Sequence, residues 1–188
     1  MSSAPAMRRI AVLGCAGSGK TTLSRALGAR LGLPVIHVDT LYWRTGPESG
    51  SEWPPLHDEL IAGDAWIFDG MKPGVLADRL ARADTAIFLD LPRWACYRGV
   101  AERRLALRGR SLPEAGAFDR MDRALLRWIW RFPRDVRPGV LEQLRACSCD
   151  VVVLRSRAEV RRFLDRLPNA EGTAAGVAAA GNSIGAES

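Results

Sequence analysis

Five short runs of apolar residues punctuate the chain: Ile10–Leu13, Val35–Val38, Trp66–Phe68, Ala86–Leu89 and Val151–Leu154. Each is nearly continuous in hydrophobicity rather than alternating, which is the pattern of strands covered on both faces in a parallel sheet. Helical spacing fills the intervals. Leu23, Leu27 and Leu31 recur every four residues, with Arg25 and Arg30 pointing elsewhere, until Gly32 and Pro34 stop the helix. Val75–Arg82 reads as a short helix and Trp94–Arg108 as a longer one. Met121–Ala146 is helical but interrupted at Pro133 and Pro138, so a kink or two helices are expected there. Strands alternating with helices predict a three-layer α/β sandwich. From about residue 168 to Ser188 the composition falls to Ala, Gly and Ser with few large apolar side chains, and the segment reads as a flexible tail. No internal repeat is visible.

With 188 residues, 47% of them hydrophobic and 26% charged, the chain has room for one domain with a sizeable core. No stretch approaches the ~18 uninterrupted apolar residues of a transmembrane helix. The apolar run after the two N-terminal arginines is too brief for a secretory signal. The four cysteines, Cys15, Cys96, Cys147 and Cys149, form no C-x-x-C pair, so a zinc knuckle is not indicated and disulfide staples are not needed. A reduced, cytoplasmic protein is the expectation.

Charge adds a regional feature. The net charge is +6, and Lys20 and Lys72 are the only lysines, so the basic character is almost wholly arginine. Between Arg93 and Arg137 twelve arginines face five acids, a local +7, and the rest of the chain is close to neutral. Solvated helix faces account for part of this excess. The remainder marks an anion site, because arginine's planar fork grips phosphate in bidentate fashion. Charge alone does not say whether the phosphate belongs to a nucleotide or to a nucleic-acid backbone.

The strongest motif is Gly14-Cys15-Ala16-Gly17-Ser18-Gly19-Lys20-Thr21, a full match to G-x-x-x-x-G-K-[ST]. A chance match in a chain of this length is on the order of half a percent. An apolar strand directly before and an amphipathic helix directly after complete the context. Such a loop wraps backbone N–H groups around phosphate oxygens, which demands positive φ and leaves no volume for side chains; Gly14, Gly17 and Gly19 meet that demand. Lys20 can reach the β- and γ-phosphates, Thr21 can ligate Mg²⁺, and the helix that opens with Thr21 and Thr22 aims its N-terminal dipole at the anion. Cys15, at that helix N-terminus, is expected to have a lowered thiol pKa.

Two carboxylates follow strands at the sheet's carboxyl edge, where ligands bind. Asp69, in Trp66-Ile67-Phe68-Asp69-Gly70, could hold a Mg²⁺-bound water. Asp39 is placed to orient or deprotonate an acceptor hydroxyl, an effect worth ~10²–10⁴ in rate for a true general base. The competing assignment for either acid is a helix cap or a solvated loop. Asp90 also ends a strand, and capping the next helix is the role expected of it. His37, inside an apolar run, reads as a satisfied core histidine. Trp43, Arg44 and Trp53 lie where an acceptor pocket belongs, either as a wall for a planar acceptor such as a nucleoside or as loop packing.

These blocks carry a resemblance. The phosphate loop, Leu33-Pro34-Val35-Ile36-His37-Val38-Asp39 with Leu41-Tyr42-Trp43, Ile87-Phe88-Leu89-Asp90-Leu91-Pro92-Arg93, and Arg127-Trp128-Ile129-Trp130-Arg131-Phe132-Pro133 resemble the bacterial topology modulation protein family of adenylate-kinase-like P-loop proteins. The resemblance spans about Arg8 to Leu167 as one domain. It implies a five-stranded sheet ordered 2-3-1-4-5 of the P-loop nucleoside/nucleotide kinase type, ATP binding and small-molecule kinase activity. Arg103, Arg104, Arg108 and Arg110 resemble the arginines that open a lid over the phosphates, here from about 103 to 123. Arg157 falls where such kinases contact the adenine. Asp69-Gly70 looks like the Asp-Gly that ends the third strand in adenylate kinases, but Met71-Lys72-Pro73 departs from what usually follows, with Lys72 a substitute for the missing arginine.

The sequence therefore predicts a kinase using Mg²⁺ and ATP, with Lys20, Asp39, Arg104 and Arg108 catalytic, Thr21 and Asp69 on the metal, and the loop with Thr22, Arg103, Arg110 and Arg157 on the nucleotide. Its partners would be a nucleoside triphosphate and a small phosphate acceptor, with no membrane. The alternative is a nucleotide-dependent regulator of nucleic acid, or a kinase of polynucleotide 5′-hydroxyls, motivated by the arginines and the interleaved Trp94, Trp128, Trp130 and Phe132. Trp128 and Phe132, four apart, read instead as a core stripe.

Overall fold

A computed structural model describes residues 7–38, 53–71, 73–106 and 122–168. Five parallel strands form one sheet: β1 (Arg9–Gly14), β2 (Val35–His37), β3 (Trp66–Asp69), β4 (Thr85–Leu89) and β5 (Asp150–Leu154), in the spatial order β2-β3-β1-β4-β5. The three inner strands are buried almost throughout, as continuous apolar runs require. The edges differ. β2 is half-buried along its length, and β5 begins exposed, Val151 keeping 40% of its surface in solvent. An apolar run thus marks a strand here without fixing how deeply it lies.

The helices are α1 (Lys20–Leu31), α2 (Trp53–Ile61), α3 (Leu76–Arg82, entered through a 3₁₀ turn at Pro73–Val75), α4 (Arg93–Ala106), α5 (Arg123–Asp135), α6 (Arg137–Ala146) and α7 (Arg157–Asp165). α1 buries Leu23 and Leu27 and ends at Gly32, whose φ of 66° and N–H bond to the Gly28 carbonyl (2.9 Å) make a left-handed cap. α1 and α7 pack together on one face of the sheet, and α3 and α6 on the other. This follows from right-handed crossovers running in opposite directions from β1 to β2 and from β3 to β4. Asp84, at the foot of β4, accepts from the Arg8 and Arg9 amides at 2.9 and 2.7 Å and so anchors the start of β1.

Of the kink or two helices expected between Met121 and Ala146, two helices are found. Pro133 lies inside α5, and the interruption falls at Val136, giving two helices with Pro138 in the first turn of α6, where its missing N–H is no loss. The 53–61 segment, to which the sequence reading assigns no helix, is helical, its two prolines occupying the first turn. Asp90 does not cap α4. Both its oxygens are taken by the Arg137 guanidinium, at 2.7 and 2.8 Å, which ties the end of β4 to the start of α6. Among the described residues no helix is long and apolar enough to cross a membrane.

Candidate phosphate-binding site

The turn from β1 into α1 carries the glycine motif. Gly14, Gly17 and Gly19 have φ of 152°, 74° and 93°, a backbone that turns its amides inward and that other residues adopt only with strain. Gly17 has a second reason to lack a side chain: a Cβ there would come within 2.1 Å of the Cys96 carbonyl oxygen on α4. Gly99, one turn further along α4, would place its own Cβ 2.0 Å from the Gly17 carbonyl oxygen. Loop and helix touch backbone to backbone, with Val100 closing the contact. The Lys20 Nζ donates to the Cys15 carbonyl at 3.1 Å, folding the lysine back over the loop.

Cys15 is buried in hydrogen-bond contact with Cys96, and both the contact and the burial push its thiol pKa up. The expected lowering at a helix N-terminus is overturned: the side chain is buried in the core.

Strand register builds the second half of the site. His37 lies beside Asp69 across the β2–β3 pair, and Asp69 beside Val12 across β3–β1. The Asp69 carboxylate then meets three groups. Thr21 donates its hydroxyl to Oδ2 at 2.6 Å, His37 Nδ1 approaches the same oxygen at 3.0 Å, and the Lys20 charge stands nearby. Burial pushes the Asp69 pKa up, but the His37 hydrogen bond, the Lys20 charge and the Thr21 hydroxyl outweigh it and hold the carboxyl below its usual value. His37 is therefore no sealed core residue. It stands 27% exposed at the sheet edge and steadies the carboxylate.

Behind this edge, fully buried Arg79 on α3 donates Nη1 to the Gly70 carbonyl at 2.9 Å and lies 5.1 Å over the Phe68 ring. Buried His57 on α2 packs against the same ring, its pKa lowered by desolvation and by Arg79. Neither Arg79 nor His57 was legible as part of the site; nothing local distinguishes a buried arginine from a surface one.

The remaining predicted residues divide by position. Thr22 is exposed in the first turn of α1. Arg103 and Arg104 occupy the last turn of α4, the helix packed on the loop. Arg157 opens α7 and pairs with Glu102 through Nη2 at 2.8 Å and Nη1 at 3.1 Å. Arg157 and Arg98 together pull the exposed Glu102 carboxyl down to about 2. The structure thus joins the end of α4 to the loop after β5 beside the phosphate turn. Asp39, Lys72, Arg108 and Arg110 lie outside the described residues, as do Trp43, Arg44, most of the expected lid and the tail.

The residues present fit a magnesium nucleotide. Asp69 Oδ1 is buried with no partner among the described residues, as is Ser18 Oγ within the loop. Among those residues no group of three or more His, Cys, Asp or Glu could cage a metal ion. A hydroxyl and one carboxylate, completed by phosphate oxygens and waters, is the donor set Mg²⁺ prefers to a protein cage.

No family model matches the chain. A shikimate kinase from Acinetobacter baumannii, solved with shikimate, superposes with a TM-score of 0.58 over 95% of this chain and 96% of its own, at 13% identity. A deoxyadenosine kinase from M. mycoides with bound products superposes with a TM-score of 0.52 over 84% and 97%, at 12% identity. In sequence, the chain is 25% identical over 171 residues to the uncharacterized protein YqaC of Bacillus subtilis, covering 85% of this chain and 95% of that protein. It is also 30% identical over 127 residues to a tRNA dimethylallyltransferase of Anaeromyxobacter, 68% of this chain but only 37% of the longer enzyme. The fold is that of the P-loop kinases.

Proposed function

We propose that this chain transfers the γ-phosphoryl group of Mg²⁺-ATP to a small acceptor, such as a nucleotide or nucleoside, in the manner of adenylate-kinase-like enzymes of the cytoplasm. The observation that carries the reading is the pairing of Thr21 with Asp69, a hydroxyl and a depressed carboxylate 2.6 Å apart beside a ring of inward-facing amides. The kinase identities of the structural neighbours support it, as does the resemblance to the topology modulation proteins.

When bound, Mg²⁺ would supply charge neutralisation to the transferring phosphoryl group. Thr21 would hold it directly and Asp69 through water, with His37 fixing the carboxylate's orientation. The amides of residues 14–21 bind the phosphates, and Lys20 swings from the Cys15 carbonyl to the β- and γ-oxygens. Arg103, Arg104, Arg108 and Arg110 close over the phosphates and exclude water, which strengthens each of these interactions. Arg157 contacts the base, and Asp39 takes up or orients the acceptor's hydroxyl proton. Positioning and electrostatics suffice, because phosphoryl transfer asks little covalent chemistry of the protein.

The test is ADP formation from Mg²⁺-ATP across nucleoside monophosphates, nucleosides, small hydroxylated metabolites and 5′-hydroxyl oligonucleotides, with Lys20→Ala as the blank. Turnover that depends on one acceptor class is expected. Equal ADP release with and without every acceptor would defeat the proposal.

A further inference from the structure

The helix that follows the expected lid does something the phosphate site does not require. At 100° per residue, Arg123, Arg127, Trp130 and Arg134 fall in one stripe along α5, at i, i+4, i+7 and i+11. The stripe spans about 16 Å. It faces solvent: the three arginines are exposed and Trp130 keeps 59% of its surface accessible. Ile129 and Phe132, on the opposite side, fill the core. Arg93 of α4 reaches across to lay its guanidinium 4.3 Å from the Trp130 ring centroid, and Trp94 beside it is 67% exposed. Among the described residues Arg123, Arg127 and Arg134 have no acidic partner, whereas neighbouring Arg131 is neutralised by Asp135. Two large indoles exposed among cations give this surface aromatic planes and guanidinium groups side by side.

We infer that this face of α5, with the start of α4, is a docking surface for single-stranded nucleic acid. Its chemistry is a row of phosphate-gripping guanidiniums interrupted by an aromatic plane on which a base can stack. Three other occupants fit less well. A second copy would oppose like charges. An anionic membrane calls for a continuous apolar face beside the cations, and here the exposed indole of the stripe has arginine on either side. A duplex keeps its bases stacked and offers the indoles nothing. The surface is separate from the phosphate cup yet mounted on the same helix, since α4 carries Arg93 at its start and Cys96 and Gly99 against the loop.

The experiment is fluorescence anisotropy of the full chain with a labelled single-stranded oligonucleotide of about 20 mixed-sequence nucleotides, titrated at several salt concentrations without ATP. Four phosphates engaged by Arg93, Arg123, Arg127 and Arg134 predict a slope of log K against log salt near −3, at about −0.7 for each contact on a single strand. The double variant Arg127→Gln, Arg134→Gln should flatten that slope by about 1.4. Trp130→Ala should weaken binding roughly 5- to 150-fold with the slope unchanged, and Trp130→Phe should recover part of the loss. Because these side chains are exposed, thermal melts should match the parent. Lys20→Ala should bind the oligonucleotide normally. Binding that resists salt, that survives all three α5 variants, or that vanishes with Lys20→Ala overturns the inference. So does binding of phosphatidylglycerol vesicles, or dimerisation, through Trp130 without any affinity for the oligonucleotide.

Discussion

Asp69 and Asp90 close the two strands that flank β1, and in sequence they look alike: an apolar run, an acid, then a turn. In three dimensions their surroundings diverge. Asp69 is met by a hydroxyl, an imidazole ring and the nearby charge of Lys20, and one of its oxygens has no partner among the described residues. Asp90 is gripped on both oxygens by Arg137 and has nothing left to offer. A carboxylate at a strand end is thus a site or a clamp according to what faces it, and only the elements arriving from far along the chain decide which. Thr21 stands 48 residues from Asp69, and Arg137 stands 47 from Asp90.

The contrast breaks most sharply under substitution. Asp69→Asn should lower acceptor-dependent phosphotransfer by roughly 10²–10³, the scale for losing one preorganised charge contact, while Asp90→Asn leaves turnover in place. Steady-state ADP assays on both variants decide it. The packing around the loop sharpens the picture next. Gly17→Ala forces a positive φ and a clash with the Cys96 carbonyl, and should cost about 3 kcal/mol, or about 6–12 °C in Tm. Gly19→Ala meets open space, pays only the backbone term, and should cost about 1 kcal/mol. Differential scanning calorimetry measures both.

Asp90→Asn should act on stability alone. Arg137 is 38% exposed, so water screens the pair and the loss should be roughly 1–2 kcal/mol, or about 2–8 °C. Asp69 adds a pH test. Its folded pKa lies below the ordinary 3.8, so its contribution to stability is present above that value and fades as pH falls through the folded pKa. The stability difference between the parent chain and Asp69→Asn should therefore be constant from pH 5 to 7 and shrink below about 3.8. Denaturant titrations at stepped pH would show a flat profile if the carboxylate made no such contacts. The smallest effect belongs to Glu102→Gln. Releasing Arg157 from its exposed carboxylate should tighten nucleotide binding roughly two- to fivefold at low salt, with the gain fading at high salt.

How much of this could be read in advance tracks the range of the interactions. The phosphate loop was legible in full because its demands are local: small residues, positive φ, and a lysine at fixed spacing. The inner strands were legible because burial on both faces leaves a continuous apolar run. β5 produced the same run at an exposed edge, where the inference of depth failed. α7 was missed although Ser156 accepts from the Glu159 amide and Glu159 reaches back to the Arg155 amide, a cap spelled out in the sequence as Ser-x-x-Glu. α2 was missed because a Pro-Pro pair reads as a loop, though prolines are tolerated in a first turn. The Gly17–Gly99 contact left one trace, an isolated glycine within an amphipathic helix, which in α4 marks a close approach. His37 and Arg79 left none. Their roles depend on register and on α3 folding back, which no single stretch encodes.

The fit between Gly17 and Gly99 allows less clearance than a single methyl group. A turn of helix seated that closely cannot slide or roll independently of the strand end it rests on. Whatever tugs at the far end of α4 must then either carry the phosphate cradle along or be resisted by it, so the two behave as one hinge leaf.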